Sequence, residues 1–171
     1  MDLLFVGYLQ DPTPGNFLAL RAALLKTPDF DPYSRDLDPA GKLFEAERFE
    51  EAERELRQRM RPSHLLSPGA HLKLGLIYQR LGRDAEMERE RVIANRCLEG
   101  ILSTGDGSAE RPYLVTRTSD EYDVLAASNL NPASQTLRLV EGRRLDVLTT
   151  REGSEICFDV TEIFRWLQER R

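Results

Sequence analysis

Acidic side chains in the second half of the sequence are the residues best suited to chemistry. Asp106 lies between Gly105 and Gly107, directly after Thr104. Glycines allow backbone N–H groups to converge on an anion, and an aspartate among them can instead hold a cation. The same residues also fit the end of a helix followed by an Asp-Gly turn. Thr104 and Asp106 are therefore candidate binding residues, with a structural turn as the competing interpretation.

A second acidic group begins at Asp120. Glu121 with Asp120 and Asp123 can supply paired carboxylates for acid–base catalysis, and Asp146 and Asp159 can join them if their strands neighbour this segment. Thr118-Ser119-Asp120-Glu121 also has the pattern of a helix capping box, which alone would explain Glu121. Apolar neighbours predict that Asp146 and Asp159 face solvent or a helix start. Asp120 and Glu121 remain candidate ligand-binding residues, and no catalytic residue is assigned.

Other reactive residue types are few. His64 and His71 are the only histidines, and their spacing does not place them on one helix face as a metal pair. We expect both to be surface or capping residues. Cys97 and Cys157 have apolar neighbours, so we expect buried free thiols. The spacing of these histidines and cysteines therefore predicts no metal site. The sequence also has no phosphate-binding loop and no dinucleotide fingerprint, so we expect no cofactor.

Composition excludes several classes of partner. The 171 residues carry a net charge of -5, with 40% hydrophobic and 31% charged residues, which is typical of a folded domain. Neither half carries an excess of basic residues, so no nucleic-acid partner is expected. No apolar run reaches the ~20 residues of a membrane span, and residues 1–9 do not resemble an export signal. We expect a cytoplasmic protein that does not enter membranes.

The first hundred residues have the pattern of paired helices. A helix is expected after Pro14, and Asp38-Pro39 and Ser67-Pro68 each combine a capping residue with a proline suited to a first turn. Apolar residues then recur every three or four positions until Gly82, and another helix follows from Asp84. These segments predict helical hairpins.

The periodicity changes after Gly107. We expect a short helix around Tyr122 and a polar turn over residues 129–134. Glycine-containing turns then separate alternating apolar segments, and Thr161 begins a closing helix. The sequence predicts an α+β fold with helices flanking a small antiparallel sheet, whose strands are Tyr113–Arg117, Thr136–Val140, Leu145–Thr149 and Ile156–Val160.

Two segments of the helical half resemble tetratricopeptide repeats. Leu74-Gly75-x-x-Tyr78-x-x-x-Leu81-Gly82 is similar to the first helix of such a repeat, and Phe49-Glu50-Glu51-Ala52 to the start of a second helix. Ala52 and Met87 hold corresponding positions 35 residues apart, close to the usual period. Met87 replaces the usual small residue, Glu47 replaces a turn glycine, and no third repeat is visible. Because about three repeats are normally needed for stability, we expect the N-terminal helix and the sheet to cover the ends.

Nearly the whole chain also resembles a bacterial family of unknown function. That family joins a tetratricopeptide-like first half to a β-rich second half, and it implies no activity, cofactor or site. The segments that carry the resemblance are Leu20-Arg21 with the Tyr33 connector, Ile101–Gly107, Asp120–Leu125, Gln135-x-Leu137 and Phe158–Val160.

These features divide the chain into a helical region, residues 1–104, and a tightly docked α+β region, residues 105–171. The helical face would expose Lys73 and Arg80, with Gln79 and part of Tyr78, unless the sheet region fills it. A non-catalytic module that binds a protein or peptide through this face or the helix–sheet junction is the favoured function. The alternatives are a small enzyme or ligand-binding domain around residues 105–107 and a protein that neutralises a toxin.

Overall fold

The computed structural model describes residues 2–60 and 62–169, and eight helices and three strands lie within them. In chain order these elements are α1 Asp2–Gln10, α2 Pro14–Leu25, α3 Asp38–Glu45, α4 Phe49–Arg59, α5 Pro68–Arg80, α6 Asp84–Leu102, α7 Ser119–Ala127, β1 Pro132–Val140, β2 Arg143–Thr150, β3 Glu155–Asp159 and α8 Thr161–Glu169. Helices fill the first half and the strands lie in the second, so the α+β prediction is confirmed.

Two helix pairs follow the N-terminal helices. α3 packs on α4, α5 packs on α6, and α4 joins the pairs by packing on α5. Gly82 ends the α5 turn with a φ of 69°, a left-handed conformation that glycine adopts without strain. The apolar segment Leu3–Leu9, to which the sequence assigned no element, forms most of α1.

The three strands form an antiparallel sheet in the order β1-β2-β3. Glu141 and Gly142 connect β1 to β2 with φ values of 50° and 81°, as a two-residue type I′ hairpin requires. β1 begins at Pro132, so the predicted turn over residues 129–134 is wrong in its second half. The predicted strand Tyr113–Arg117 is also wrong, because only Tyr113 bridges β3, at Phe158.

One hydrophobic core joins the helical and sheet regions. Phe17 and Leu20 of α2 share it with Val115, Leu148 and Phe158, all of which are fully buried. A second cluster lies between α3, α4 and α5, and a third, around Val147 and Cys157, lies on the opposite face of the sheet. Cys97 and Cys157 are both buried free thiols, as expected.

Two buried arginines strengthen the contact between the regions. Arg21 of α2 donates to the carbonyl of Val115 at 3.0 Å and pairs with Glu162 of α8. Arg117 donates to the carbonyls of Asp31, Ser34 and Ser63, which lie in the helical region. Burial lowers the pKa of Arg117, an unfavourable effect that these hydrogen bonds offset. None of the helices within the described residues is long and apolar enough to cross a bilayer.

Candidate functional site

The glycine loop at residues 105–107 is closed by its own chain. The N–H groups of Asp106 and Gly107 both donate to the carbonyl of Arg111, at 2.9 and 3.2 Å. The N–H of Ser108 donates to Oδ1 of Asp106 at 3.0 Å, and hydrogen bonds from Ser108 lower the pKa of the exposed Asp106 carboxyl. The donors that would bind an anion in this loop are therefore already used.

Close packing and hydrogen bonds explain why glycine and threonine occupy this loop. A Cβ atom at Gly105 would lie 2.2 Å from the carbonyl oxygen of Arg111, and the carbonyl of Gly107 accepts from the N–H of Cys157 at 2.8 Å. Thr104 accepts a hydrogen bond from the N–H of Leu114 at 2.8 Å. Thr104 and Gly107 thus tie the end of α6 to the sheet region, whereas the hydrogen bonds of Asp106 lie within the loop.

The predicted capping box does not form. No side chain caps α7 at Thr118; instead, Oδ2 of Asp120 accepts hydrogen bonds from the Thr116 hydroxyl at 2.8 Å and the Arg117 N–H at 3.0 Å. Asp120 is fully buried, and burial raises the pKa of its carboxyl to about 7. Asp120 therefore shapes the turn that leads into α7.

Glu121 is freed from capping and lies against the sheet instead. Gln135 donates from Nε2 to Oδ2 of Asp146 at 2.6 Å and lies 3.4 Å from Oε2 of Glu121. The Tyr122 hydroxyl donates to Oε1 of Gln135 at 2.6 Å. We call Glu121, Tyr122, Gln135 and Asp146 the junction cluster. Asp146 is only 8% exposed and lies beside Glu121 in the first turn of α7, so of the two predicted positions, solvent or a helix start, the structure shows the helix start.

Burial controls the charge of the junction cluster. It raises the pKa of Glu121 to about 9, with the nearby Asp146 as the next cause, and it also raises the pKa of Asp146. Near neutral pH Glu121 is therefore protonated and can donate a hydrogen bond to Asp146. Tyr33 of the connector faces the same carboxyls, which add to the effect of burial in raising its pKa.

The chemistry open to this cluster is limited by access. Two neighbouring carboxyl groups with raised pKa values are what a general acid–base pair requires. Glu121, however, has no exposed surface, and its Oε1 atom is buried without a hydrogen-bond partner among the described residues. A substrate therefore cannot reach the protonated carboxyl in this conformation. Asp159, another of the predicted acids, accepts a hydrogen bond from the N–H of Thr161 at the start of α8, which is one of its two predicted positions.

The two histidines are buried, so the expectation that they are surface residues is wrong, and their role as capping residues stays a prediction. His64 is 3% exposed and its Nε2 lies 2.7 Å from Oδ1 of Asp36. His71 is 4% exposed and its Nδ1 lies 2.6 Å from Oε2 of Glu90. Each imidazole meets a single carboxylate, and residues 2–60 and 62–169 contain no group of three or more metal-binding side chains.

An open groove lies on the helical face. It has a volume of about 480 Å³ and is lined by α3, α4, α5 and the connector before α3. No lining residue comes from the sheet region, so that region does not fill it. We call this space the helical groove; its main apolar residues are Leu37, Phe44, Leu56, Leu76 and Ile77, and its lysines are Lys42 and Lys73.

The predicted face residues have different places around this groove. Lys73 lines it, and the Arg80 guanidinium lies over the Phe44 ring at 5.9 Å. Gln79 lines a smaller depression of about 260 Å³ beside α5. Tyr78 is not in reach because it is buried, with its hydroxyl accepting from Arg57 at 2.8 Å.

Several residues escaped the sequence analysis. Gln135 had a possible signal, since it alternates with Leu137 along β1, but it lies between the predicted turn, which ends at residue 134, and the predicted strand, which begins at Thr136. Lys42 and Leu76 also had a signal, because they lie on the exposed sides of predicted helices. Arg117 had no signal in the sequence, because the carbonyl groups to which its side chain donates lie more than fifty residues away.

No protein-family model, no curated protein and no solved structure matches this chain. The resemblance to a bacterial family of unknown function stays a prediction. Evidence on function therefore comes from the geometry of these sites.

Proposed function

We propose that this chain is a non-catalytic protein-binding module of tetratricopeptide type. In this proposal the helical groove takes a peptide segment of another protein. The observation that carries it is the groove itself, which is open, has an apolar floor and is left free by the sheet region. Grooves that bind extended or helical peptides combine apolar pockets with a few charged side chains.

The apolar floor favours one hydrophobic anchor in the partner. Leu37, Leu56 and Ile77 form the buried part of the groove, and Leu76 is 51% exposed beside them. A side chain such as Leu or Phe would cover Leu76 and remove apolar surface from water, at roughly 25 cal/mol for each Å² buried. Such an anchor would supply most of the affinity.

The rim favours acidic residues beside that anchor. Lys42 and Lys73 are two of only three lysines in the chain, and both are exposed at the groove. Neither forms an ion pair with a described residue. Asp38 is already paired with Arg35 at 3.1 Å, which leaves Glu45 as the acidic side chain of the rim. The rim is therefore locally basic although the chain has a net charge of -5.

The competing enzyme hypothesis has weaker support. An active loop at residues 105–107 would need free donors, and those donors bond Arg111. The acid pair in the junction cluster lacks access for a substrate. A cytoplasmic location is part of the proposal, supported by two free thiols with no disulfide.

A selection from a displayed library of random twelve-residue peptides tests the proposal on the full chain. We expect enriched peptides with one large apolar residue flanked by Asp or Glu. Their binding, measured by fluorescence anisotropy, should weaken about tenfold in Lys73→Glu, since reversing one charge at close range costs on the order of 1 kcal/mol. The matched control is Lys26→Glu, which reverses the third lysine, outside the groove, and should leave binding unchanged.

Two results would overturn this function. One is a library that yields no enriched sequence. The other is a set of peptides that bind Lys73→Glu and Leu76→Lys as tightly as they bind the unchanged chain, since both residues line the groove.

A further inference from the structure

The two edges of the sheet differ in what covers them. Along β3 the edge is occupied by the chain itself, because Tyr113 exchanges hydrogen bonds with Cys157 and Asp159, and Gly107 accepts from Cys157. Along β1 no described residue forms a backbone hydrogen bond with the outer side of Gln135, Leu137 or Leu139. The sheet therefore has one open edge.

The hairpin geometry fixes which backbone groups this edge offers. In a two-residue hairpin the flanking residues, here Val140 and Arg143, form a hydrogen-bonded pair, and pairs alternate along the strands. Arg138 and Thr136 consequently bond β2. Gln135, Leu137 and Leu139, which alternate with them, therefore point their N–H and C=O groups away from the sheet.

Apolar side chains accompany these free backbone groups. Leu137 is 48% exposed and Leu139 is 74% exposed. Edge strands are normally protected by charged side chains, prolines or bulges within the strand. Here the irregularity and the proline lie at the start of β1, and the single charge, Arg138, is already paired with Glu155 at 2.5 and 2.7 Å. Seven residues, 134–140, are thus left as an unprotected edge.

We propose that β1 pairs with β1 of a second copy of this chain, antiparallel and across a twofold axis at Leu137, to make a six-stranded sheet. Two identical edges satisfy each other only in an antiparallel, twofold arrangement. With Leu137 opposite itself, Leu139 meets Gln135 and Arg138 meets Thr136. No like charges are opposed, and the exposed leucines lie beside the axis.

Charge argues for this register over its neighbours. An axis at Arg138 would place two guanidinium groups opposite each other, which is unfavourable. Since Arg138 is the only charged residue of β1 and is neutralised within its own chain, two such edges approach without repulsion at the strand. This interface is separate from the helical groove and does not depend on peptide binding there.

Analytical ultracentrifugation of the full chain at 1 to 100 µM, on the order of usual dimer affinities, tests the pairing. We expect a species of twice the 19.6 kDa chain mass. Leu137→Lys should give a monomer with an unchanged circular dichroism spectrum, because it places a charge at the axis. The matched control is Leu76→Lys, a leucine of similar exposure (51% against 48%) on the helical groove, which should stay dimeric.

A cross-linking experiment tests the register. Leu137→Cys should be joined to its copy by a two-carbon bis-maleimide, whereas Leu139→Cys should not, because its copy lies four residues away, about 13 Å along the strand. The unchanged chain is the control, since Cys97 and Cys157 are buried. A monomer at every concentration, a monomeric Leu76→Lys, or cross-linking at position 139 without position 137 would overturn the proposal.

Discussion

Glu121 and Asp146 lie on separate elements, yet their carboxyl groups meet at one amide donor, Nε2 of Gln135. One side chain starts a helix and the other lies in the central strand of the sheet. Burial, followed by the charge of the neighbouring Asp146, disfavours ionisation of Glu121 and raises its pKa to about 9. The contact therefore joins α7 to the sheet most strongly while Glu121 keeps its proton.

Glu121→Gln is expected to change how stability depends on pH. The folded chain keeps the Glu121 proton up to about pH 9, whereas the unfolded chain loses it near 4.5. Between these values the folded state binds more protons, so the free energy of unfolding falls as pH rises, by at most about 1.4 kcal/mol per pH unit. The glutamine variant should lose this slope above pH 7, measured by urea denaturation.

The control for that experiment is Glu88→Gln, which removes an exposed carboxyl paired with Arg91 and should keep the slope. A residual slope below pH 7 comes from Asp120, whose pKa is raised to about 7, and from Asp123 and Asp146, whose pKa values burial also raises. If the free energies of unfolding of Glu121→Gln and the unchanged chain change identically between pH 7 and 9, Glu121 is not protonated in the folded chain.

His64 should act at the acidic end of the pH range. Burial, followed by the charge of Arg117, lowers its pKa from 6.5 to about 4. Between these values the unfolded chain binds a proton that the folded chain does not, so stability falls as pH drops through this window. In His64→Gln the fall from pH 6.5 to 4 should be smaller, by up to about 1.4 kcal/mol per pH unit.

Nuclear magnetic resonance gives a direct measurement of the same group. The chain has only two histidines, so their imidazole signals can be separated with the variant. The His64 signal should stay at its neutral position down to pH 5. A midpoint near 6.5 would show that the imidazole is not held neutral by burial.

Local patterns predicted the elements whose stability is local. The 3–4 residue spacing of Leu74, Ile77 and Leu81, ending at Gly82, matches α5 and its left-handed turn. The Glu141-Gly142 turn between alternating strands matches the β1–β2 hairpin. In these cases the residues that decide the structure lie within one turn of each other.

The candidate site depended on distant contacts and was predicted only in part. The capping-box pattern at Glu121 was overridden because Asp120 bonds back to Thr116, and Glu121 is buried against Asp146. Its apolar neighbours predicted that Asp146 faces solvent or a helix start, and Asp146 meets the first turn of α7. The side chains of its neighbours Leu145 and Val147 are also buried, because Ala109 packs on the opposite face of the sheet. No periodicity reveals that a loop covers a second face.

Arg117→Met should be among the most destabilising substitutions. It leaves the carbonyls of Asp31, Ser34 and Ser63 without their donor and removes the positive charge beside Asp120. Removing one partner from a buried charged network costs about 3–5 kcal/mol. Arg111→Met is the control, because its exposed ion pair with Asp106 should contribute less than about 1 kcal/mol. Equal melting temperatures for the two variants would contradict this role.

Gly105→Ala decides between a structural loop and a ligand site at residues 105–107. The added Cβ would lie 2.2 Å from the Arg111 carbonyl oxygen, a backbone atom that cannot move without breaking the bonds to Asp106 and Gly107. We expect a loss of about 2 kcal/mol or more, as for other strained close contacts. Gly41→Ala, in α3 with no atom within 4 Å of the new Cβ, should instead stabilise by about 0.5–1 kcal/mol.

Asp106→Asn should change the free energy of unfolding by less than about 0.5 kcal/mol, since the exposed side chain can still accept the Ser108 N–H. Urea denaturation of the three variants measures these differences, and a Gly105→Ala variant as stable as Gly41→Ala would show that the loop is not held closed by Arg111.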